Sequence, residues 1–273
     1  MDKENFFISL VESPFLGDDA AVVGSTLYSC DIFCEGAHFK REWMSMRQIG
    51  RKAMLVNLSD VVAMNAEPVY ALVGVTLPRD ISPKEMFELS EGLTSAAEEY
   101  GCAIIGGDTV GGDLVHISIT IISKSTEPLM RTGMKEGDLL AYTGELGESR
   151  RALESLMRGE KISPDSRFYE PVLRKEFIKE ARRYISCGMD ISDGLYCDLG
   201  KMLNMNEYGC AISKSIDRFE AESGEEYEML FAFDESHISQ LEEISARTST
   251  PVNIFGRVLA DGTVPPCVDH HFS

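Results

Sequence analysis

Positive charge is scarce in this 273-residue chain: 26 lysines and arginines stand against 45 aspartates and glutamates, a formal charge of -19. That balance argues against a nucleic-acid backbone or an anionic membrane surface as partner. It leaves phosphorylated small molecules open, because divalent cations can stand between two sets of negative charge. No apolar run approaches the roughly 20 residues that a bilayer-spanning helix needs, so no membrane partner is expected. The start, Met1-Asp2-Lys3-Glu4-Asn5, lacks the basic and apolar stretches of a signal peptide, and a cytoplasmic address is expected from it. Cys-x-x-Cys is absent as well. The seven cysteines, at positions 30, 34, 102, 187, 197, 210 and 267, sit mostly within apolar segments, so reduced, buried thiols are expected rather than a zinc site.

Three common phosphate-handling motifs are also missing: Gly-x-x-x-x-Gly-Lys-Ser/Thr, a Gly-x-Gly-x-x-Gly that opens a helix, and a His-Arg-Asp loop. P-loop and protein-kinase mechanisms are therefore disfavoured. Ser192 lies between two aspartates and has no Gly-x-Ser-x-Gly elbow, which speaks against a serine hydrolase. What the chain does have is carboxylates beside glycine or serine. Asp190-Ile191-Ser192-Asp193-Gly194 is answered by Gly17-Asp18-Asp19, Cys30-Asp31, Asn57-Leu58-Ser59-Asp60 and Gly106-Gly107-Asp108-Thr109. Each piece alone is an ordinary turn or cap. If they converge, they supply the hard oxygen donors of a Mg²⁺ site that carries phosphate.

Periodicity gives a coarse frame. Apolar and small residues at spacings of three and four predict a helix over 46–64, which carries Asn57 and Asp60. Ser82-Pro83-Lys84-Glu85 has the form of a capping box, and Gly101 closes the helix that follows. Strands are predicted over 20–23, 27–30, 69–77, 114–122, 139–143, 229–233 and 252–259, with Asp31 near a strand end. Residues 102–105 read as a short buried strand that stops before Gly106-Gly107-Asp108-Thr109. An amphipathic helix is predicted over 171–186, and another begins at Leu195. A change of composition at Lys124-Ser125-Thr126-Glu127-Pro128 divides the chain into 1–125 and 126–273, both of α/β (α+β) character.

These motifs, in this order, resemble the thiamine-monophosphate kinase family, within the superfamily that includes aminoimidazole ribonucleotide synthetase and selenophosphate synthetase. The resemblance runs from Gly17 to about Phe233. It rests on Gly17-Asp18-Asp19-Ala20-Ala21-Val22, on Asp31 with Gly36-Ala37-His38-Phe39, and on Lys52 to Met64 around Val56-Asn57-Leu58-Ser59-Asp60. It continues through Ile105-Gly106-Gly107-Asp108-Thr109, Asp190-Ile191-Ser192-Asp193-Gly194-Leu195 and Gly224-Glu225-Glu226-Tyr227-Glu228. It implies a two-domain fold, a homodimer joined through the N-terminal sheets, and transfer of the ATP γ-phosphoryl group to thiamine monophosphate. It further implies several Mg²⁺ ions held by Asp19, Ser29, Cys30, Asp31, Asp60, Asp108, Asp190 and Asp193, some through backbone oxygen. Asp60, Asp108, Asp190 and Asp193 would carry the reaction, Gly107, Asp108, Arg131 and Ser192 would hold ATP, and His38 and Glu225 would contact the thiamine end. Cys30 stands where the family has threonine, and the tail Val268-Asp269-His270-His271-Phe272 matches the family ending only loosely. Two alternatives remain open: a sister ATP-using enzyme of the superfamily, or a nonenzymatic module that binds divalent cations or nucleotide.

Overall fold

The computed structural model describes residues 3–267, so the tail expected to cover the thiamine ring lies outside the described residues. Ten strands are described: β1 (Ala21–Val23), β2 (Thr26–Cys34), β3 (Glu67–Pro78), β4 (Ala103–Gly112), β5 (His116–Lys124), β6 (Leu139–Thr143), β7 (Cys187–Asp190), β8 (Gly209–Ile212), β9 (Met229–Phe233) and β10 (Val252–Leu259). They form two five-stranded sheets, ordered β1-β2-β5-β3-β4 and β7-β9-β6-β10-β8. The helices are α1 (Lys3–Ile8), α2 (Met46–Ala63), α3 (Pro83–Glu99), α4 (Glu148–Met157), α5 (Lys175–Ala181), α6 (Leu195–Met205), α7 (Arg218–Ala221) and α8 (Ile238–Thr248). This is the two-sheet α/β architecture that the sequence predicts.

In the first sheet β2, β5 and β3 are antiparallel neighbours, and α3 is the crossover that lets β4 pair parallel to β3. Ile117, Ile119 and Ile121 of β5 turn one face inward, where Met54, Leu58 and Val61 of α2 are also fully buried. α2 and α3 cross backbone to backbone: a Cβ on Gly92 would lie 2.1 Å from the Arg47 carbonyl oxygen, and one on Gly50 2.3 Å from that of Leu89. The capping box at Ser82 forms as the sequence indicates, with Ser82 Oγ accepting from the Glu85 N–H at 3.2 Å. Ala152 and Leu156 of α4, together with Phe168, pack back onto this first core.

The other face of the first sheet is open. Strand register sets three rows across it: Tyr28, Ile122 and Tyr70; Cys30, Thr120 and Leu72; Ile32, Ser118 and Gly74. Tyr28, Ile32, Tyr70 and Leu72 are all exposed there.

Several elements depart from the sequence reading. Asp31 lies inside β2, opposite Ile119, because β2 runs on to Cys34 against β5. β4 includes Gly106-Gly107-Asp108-Thr109 and is exposed along its length rather than short and buried, since it has a sheet neighbour on one side only. The helix expected over 171–186 shrinks to α5 and a 3₁₀ turn at Arg182–Tyr184. Tertiary anchors shorten it at both ends: Arg174 sends its guanidinium to Glu228 at 2.6 and 2.7 Å, and Arg182 donates to the carbonyls of Glu127, Pro128 and Ile185.

The cysteines correct the expectation of uniformly reduced, buried thiols. Cys197 and Cys267 form a disulfide across 70 residues of sequence, and Cys30 is exposed. The pair meets because the Cys210–Thr263 bridge folds the C-terminal segment back beside α6, an approach that spacing in sequence does not reveal. Replacing Cys267 with serine should lower the free energy of unfolding by roughly 4 kcal/mol through loss of this closed loop. Urea titration of wild type and variant, each with and without a dithiol reductant, checks it; four coincident curves would show that the bond contributes nothing.

Candidate active site

The site lies where the inner side of the first sheet and the N-terminal end of α6 meet, and α2 threads between them. β2 supplies Asp31, the loop before β1 supplies Asp19, α2 supplies Asp60, and the end of β7 supplies Asp190. Carboxylate oxygens of Asp19, Asp60 and Asp190 all lie within 4.8 Å of one another. Asp31 lies close enough to this group for its charge to oppose that of Asp60. Neighbouring side chains hold the set in place. Asn57 Oδ1 accepts the Asp31 N–H at 3.0 Å while its own Nδ2 donates to the Ala53 carbonyl, and Ser59 Oγ donates to Asp190 Oδ2 at 2.5 Å.

Crowding four carboxyls away from water disfavours their charged forms. Burial pushes Asp19 up to about 7 and Asp31 and Asp190 to about 6, with added repulsion from the neighbouring aspartates. Asp60 is driven well above the usual carboxylate range, by desolvation first and then by Asp31, Asp190 and Asp19. Arg131 offers the nearest counter-charge: its Nε and Nη2 bond Asp19 Oδ1, and its backbone N–H donates to Asp18 Oδ1 at 2.6 Å.

Two oxygens in this neighbourhood are buried without a hydrogen-bond partner, Asp19 Oδ2 and Ser29 Oγ. Buried polar atoms ordinarily find partners. Hard oxygen donors left unsatisfied beside a cluster of carboxylates fit divalent cations such as Mg²⁺.

Further residues named from the sequence fall into three groups. Ser192 and Asp193 adjoin Asp190, and their backbone N–H groups both donate to Asp198 Oδ2 at 3.0 Å. Lys201 pairs with Asp193 and reaches Asp198 Oδ1 at 3.2 Å. His38 and Glu225 lie at the other end of α2 from Asp60: His38 Nδ1 accepts the Cys34 N–H at 3.0 Å, and Glu225 pairs with Lys52. Gly107 and Asp108 are not brought to the cluster. Gly107 is in register with Val73, Val73 with Ile119, and Ile119 with Asp31. Three strand spacings put Gly107 about 14 Å from Asp31. The Cys30 thiol also turns away, meeting Ser118 and Thr120 on the open face.

Residues 17–124 match the family described as AIR synthase related protein, N-terminal domain. A thiamine-monophosphate kinase of Rhodopirellula baltica is 33% identical over 276 residues, covering 89% of this chain and 83% of the relative. The chain belongs to the thiamine-monophosphate kinase family. The solved structure of AaThiL complexed with AMPPCP and TMP superposes with a TM-score of 0.85 at 25% identity, covering 96% of this chain and 91% of that one. The HypE-HypF complex shares the fold at a TM-score of 0.80 and 17% identity, covering 98% of each chain.

Four further side chains of this thiamine-monophosphate kinase family member stand at the site without a role assigned to them from the sequence: Lys52, Asp198, Lys201 and Tyr227. Tyr227 is buried, and its hydroxyl is raised well above the usual range by burial and by the charges of Glu225, Asp31, Asp190 and Asp60. Asp198 had a local signal, an acidic residue in the first turn of the helix that follows the Ser-Asp-Gly turn. Lys52 had a weaker one, a lysine two turns before Asp60 on a helix face of otherwise small and apolar residues.

Among the described residues no helix is long and apolar enough to cross a membrane.

Proposed function

We propose that this chain transfers the γ-phosphoryl group of ATP to thiamine monophosphate, giving thiamine diphosphate and ADP. The observation that carries the reading is the convergence of Asp19, Asp60 and Asp190, with the Asp31 charge beside them and orphaned buried oxygens on Asp19 and on Ser29 of the same strand as Asp31. A phosphate oxygen of the acceptor attacks the γ-phosphorus while the bond to the bridging β-oxygen breaks. The attacking oxygen is already ionised near neutral pH, so positioning and charge neutralisation suffice without a dedicated base.

Asp19, Ser29, Asp31, Asp60, Asp190 and Asp193 would hold several Mg²⁺ ions, with Cys30 adding backbone oxygen only. Bound Mg²⁺ would neutralise and orient the two polyanions. Arg131 and Ser192 take the nucleotide, and phosphate oxygens that replace Asp19 on the Arg131 guanidinium leave Asp19 free for a cation. His38 and Glu225 face the thiamine end. Asp198 fixes the Ser192–Asp193 backbone, and Ser59 fixes Asp190.

The reading includes a homodimer joined through the open face of the first sheet, whose exposed Tyr28, Ile32, Tyr70 and Leu72 support it. Gly107 and Asp108 then act at the site of the second copy, which accounts for their distance from the carboxylates of their own chain. Ile32→Asp on that face should yield a monomer by light scattering and little turnover; a dimer of unchanged activity would place the interface elsewhere. We place the domain division at residues 125 and 126, between the last strand of one sheet and the first of the other. The expected cytoplasmic address fits an ATP-consuming reaction, while Cys197–Cys267 is a bond favoured by oxidising surroundings.

Incubation with ATP, Mg²⁺ and thiamine monophosphate tests the activity, with thiamine diphosphate and ADP as the expected products. ADP release with a different acceptor only would support a sister enzyme of the superfamily. Nucleotide or cation binding without turnover would support a nonenzymatic module.

A further inference from the structure

Lys52 is the one lysine or arginine among the described residues that is fully buried. It sits on α2, eight residues before Asp60, which at 1.5 Å per residue sets the two about 12 Å apart along the helix. Its Nζ lies 2.6 Å from Glu225 Oε2, 4.1 Å from the centroid of Phe168 and 5.7 Å from that of Phe33. Phe33 in turn stacks on His38 at 5.4 Å and on Phe39 at 4.8 Å. One ammonium thus touches Glu225 directly and His38 through a shared ring.

The three glutamates of the loop before β9 have different surroundings. Glu226 accepts from Ser223 Oγ and the N–H groups of Gly147 and Ser149, and Glu228 accepts from Thr143, Arg167 and Arg174. Both are buried structural anchors. Glu225 keeps a quarter of its side chain exposed, with Lys52 as its ion-pair partner. Its backbone has a left-handed φ of 54°, and its N–H donates to the Ser192 carbonyl at 2.7 Å, so the residue is tied to the turn that carries Asp190 and Asp193.

We propose that Lys52 is a positioning residue for the phosphate acceptor. It locks the Glu225 carboxylate and, through Phe33, the His38 ring into one orientation before the heteroaromatic cation arrives, with Phe168 fixing the ammonium from behind. A glutamate ordered in advance in this way loses no side-chain freedom on binding. The same helix thereby fixes both ends of the site, Asp60 toward the phosphates and Lys52 toward the organic end. The inference rests on the proposed acceptor and deepens that reading.

Steady-state kinetics of the wild type, Lys52→Met, Glu225→Gln and the double variant test it, with a melting curve for each. Lys52→Met should raise KM for thiamine monophosphate about tenfold, in the range typical of lost supporting contacts. KM for ATP should stay unchanged. Should the unpaired Glu225 charge prevent Lys52→Met from folding, the double variant removes both charges and keeps the comparison available. Its KM for thiamine monophosphate should exceed that of Glu225→Gln alone by less than the full effect of Lys52→Met, because the ordering of Glu225 is already lost and only the hold on Phe33 and His38 remains. Multiplied effects in the double variant, equal rises for both substrates, or an unchanged or lower acceptor KM in Lys52→Met would each overturn the role given to Lys52. A wild-type protein that does not phosphorylate thiamine monophosphate overturns the functional reading as well, and that control separates the two failures.

Discussion

Asp60→Asn is expected to cut turnover on the order of 10³-fold or more, because it removes a charged oxygen donor from the centre of the carboxylate group. Asp60 is the side chain whose charge interacts with all the others: Asp31, Asp190 and Asp19 each oppose its ionisation. Asparagine keeps the shape and one oxygen, so the backbone of α2 has no reason to move. Without divalent cations the variant should melt at a higher temperature than the wild type, since asparagine has neither a charge to desolvate nor a proton to take up on folding. Thiamine diphosphate formation and a thermal melt without Mg²⁺ read the two effects separately. Full activity would remove Asp60 from the site, and a collapsed melt would mean that its role is structural.

The pH dependence of stability in the absence of divalent cations should run opposite to that of ordinary ion-paired aspartates. Asp19 lies near 7, and Asp31 and Asp190 near 6, in the folded protein, against about 3.9 in an unfolded chain. Between those values the folded state binds more protons than the unfolded state. Stability from this cluster is therefore fully present below about pH 4 and falls as pH rises through about 7, by about 1.4 kcal/mol per pH unit for each excess proton. Mg²⁺ binds the deprotonated set and should restore the loss, with its largest effect at the upper end of that window. Melts from pH 5 to 8, with and without Mg²⁺, for wild type and Asp60→Asn read the part that depends on Asp60, because Asp19, Asp31, Asp190 and the other acidic groups of the chain are common to both. Parallel curves for the two proteins without Mg²⁺ would show that Asp60 neither titrates above the ordinary range nor raises its neighbours.

How much of this was legible in the sequence depended on distance along the chain. Ser82, Pro83 and Glu85 form the cap they were read to form, because all of its partners lie within three residues. α2 was readable from its own spacing. β4 was not: its composition resembles that of a buried strand, and only its place at the edge of the first sheet leaves it exposed. Nothing local marks Cys197 as the partner of Cys267, or Arg174 as the partner of a glutamate 54 positions away.

The sequence by itself determined the chemistry available to the protein: hard oxygen donors beside small residues, few cations, no P-loop, and a motif order resembling one kinase family. Tertiary structure alone decided which donors meet. Asp19, Asp60 and Asp190 come together, Asp108 stays about three strands away from Asp31, and Lys52 reaches Glu225 across 173 residues. Side-chain type and short-range spacing are written in any local window of the chain. Proximity across the two sheets is set by how α2 packs between them, and no local window contains that.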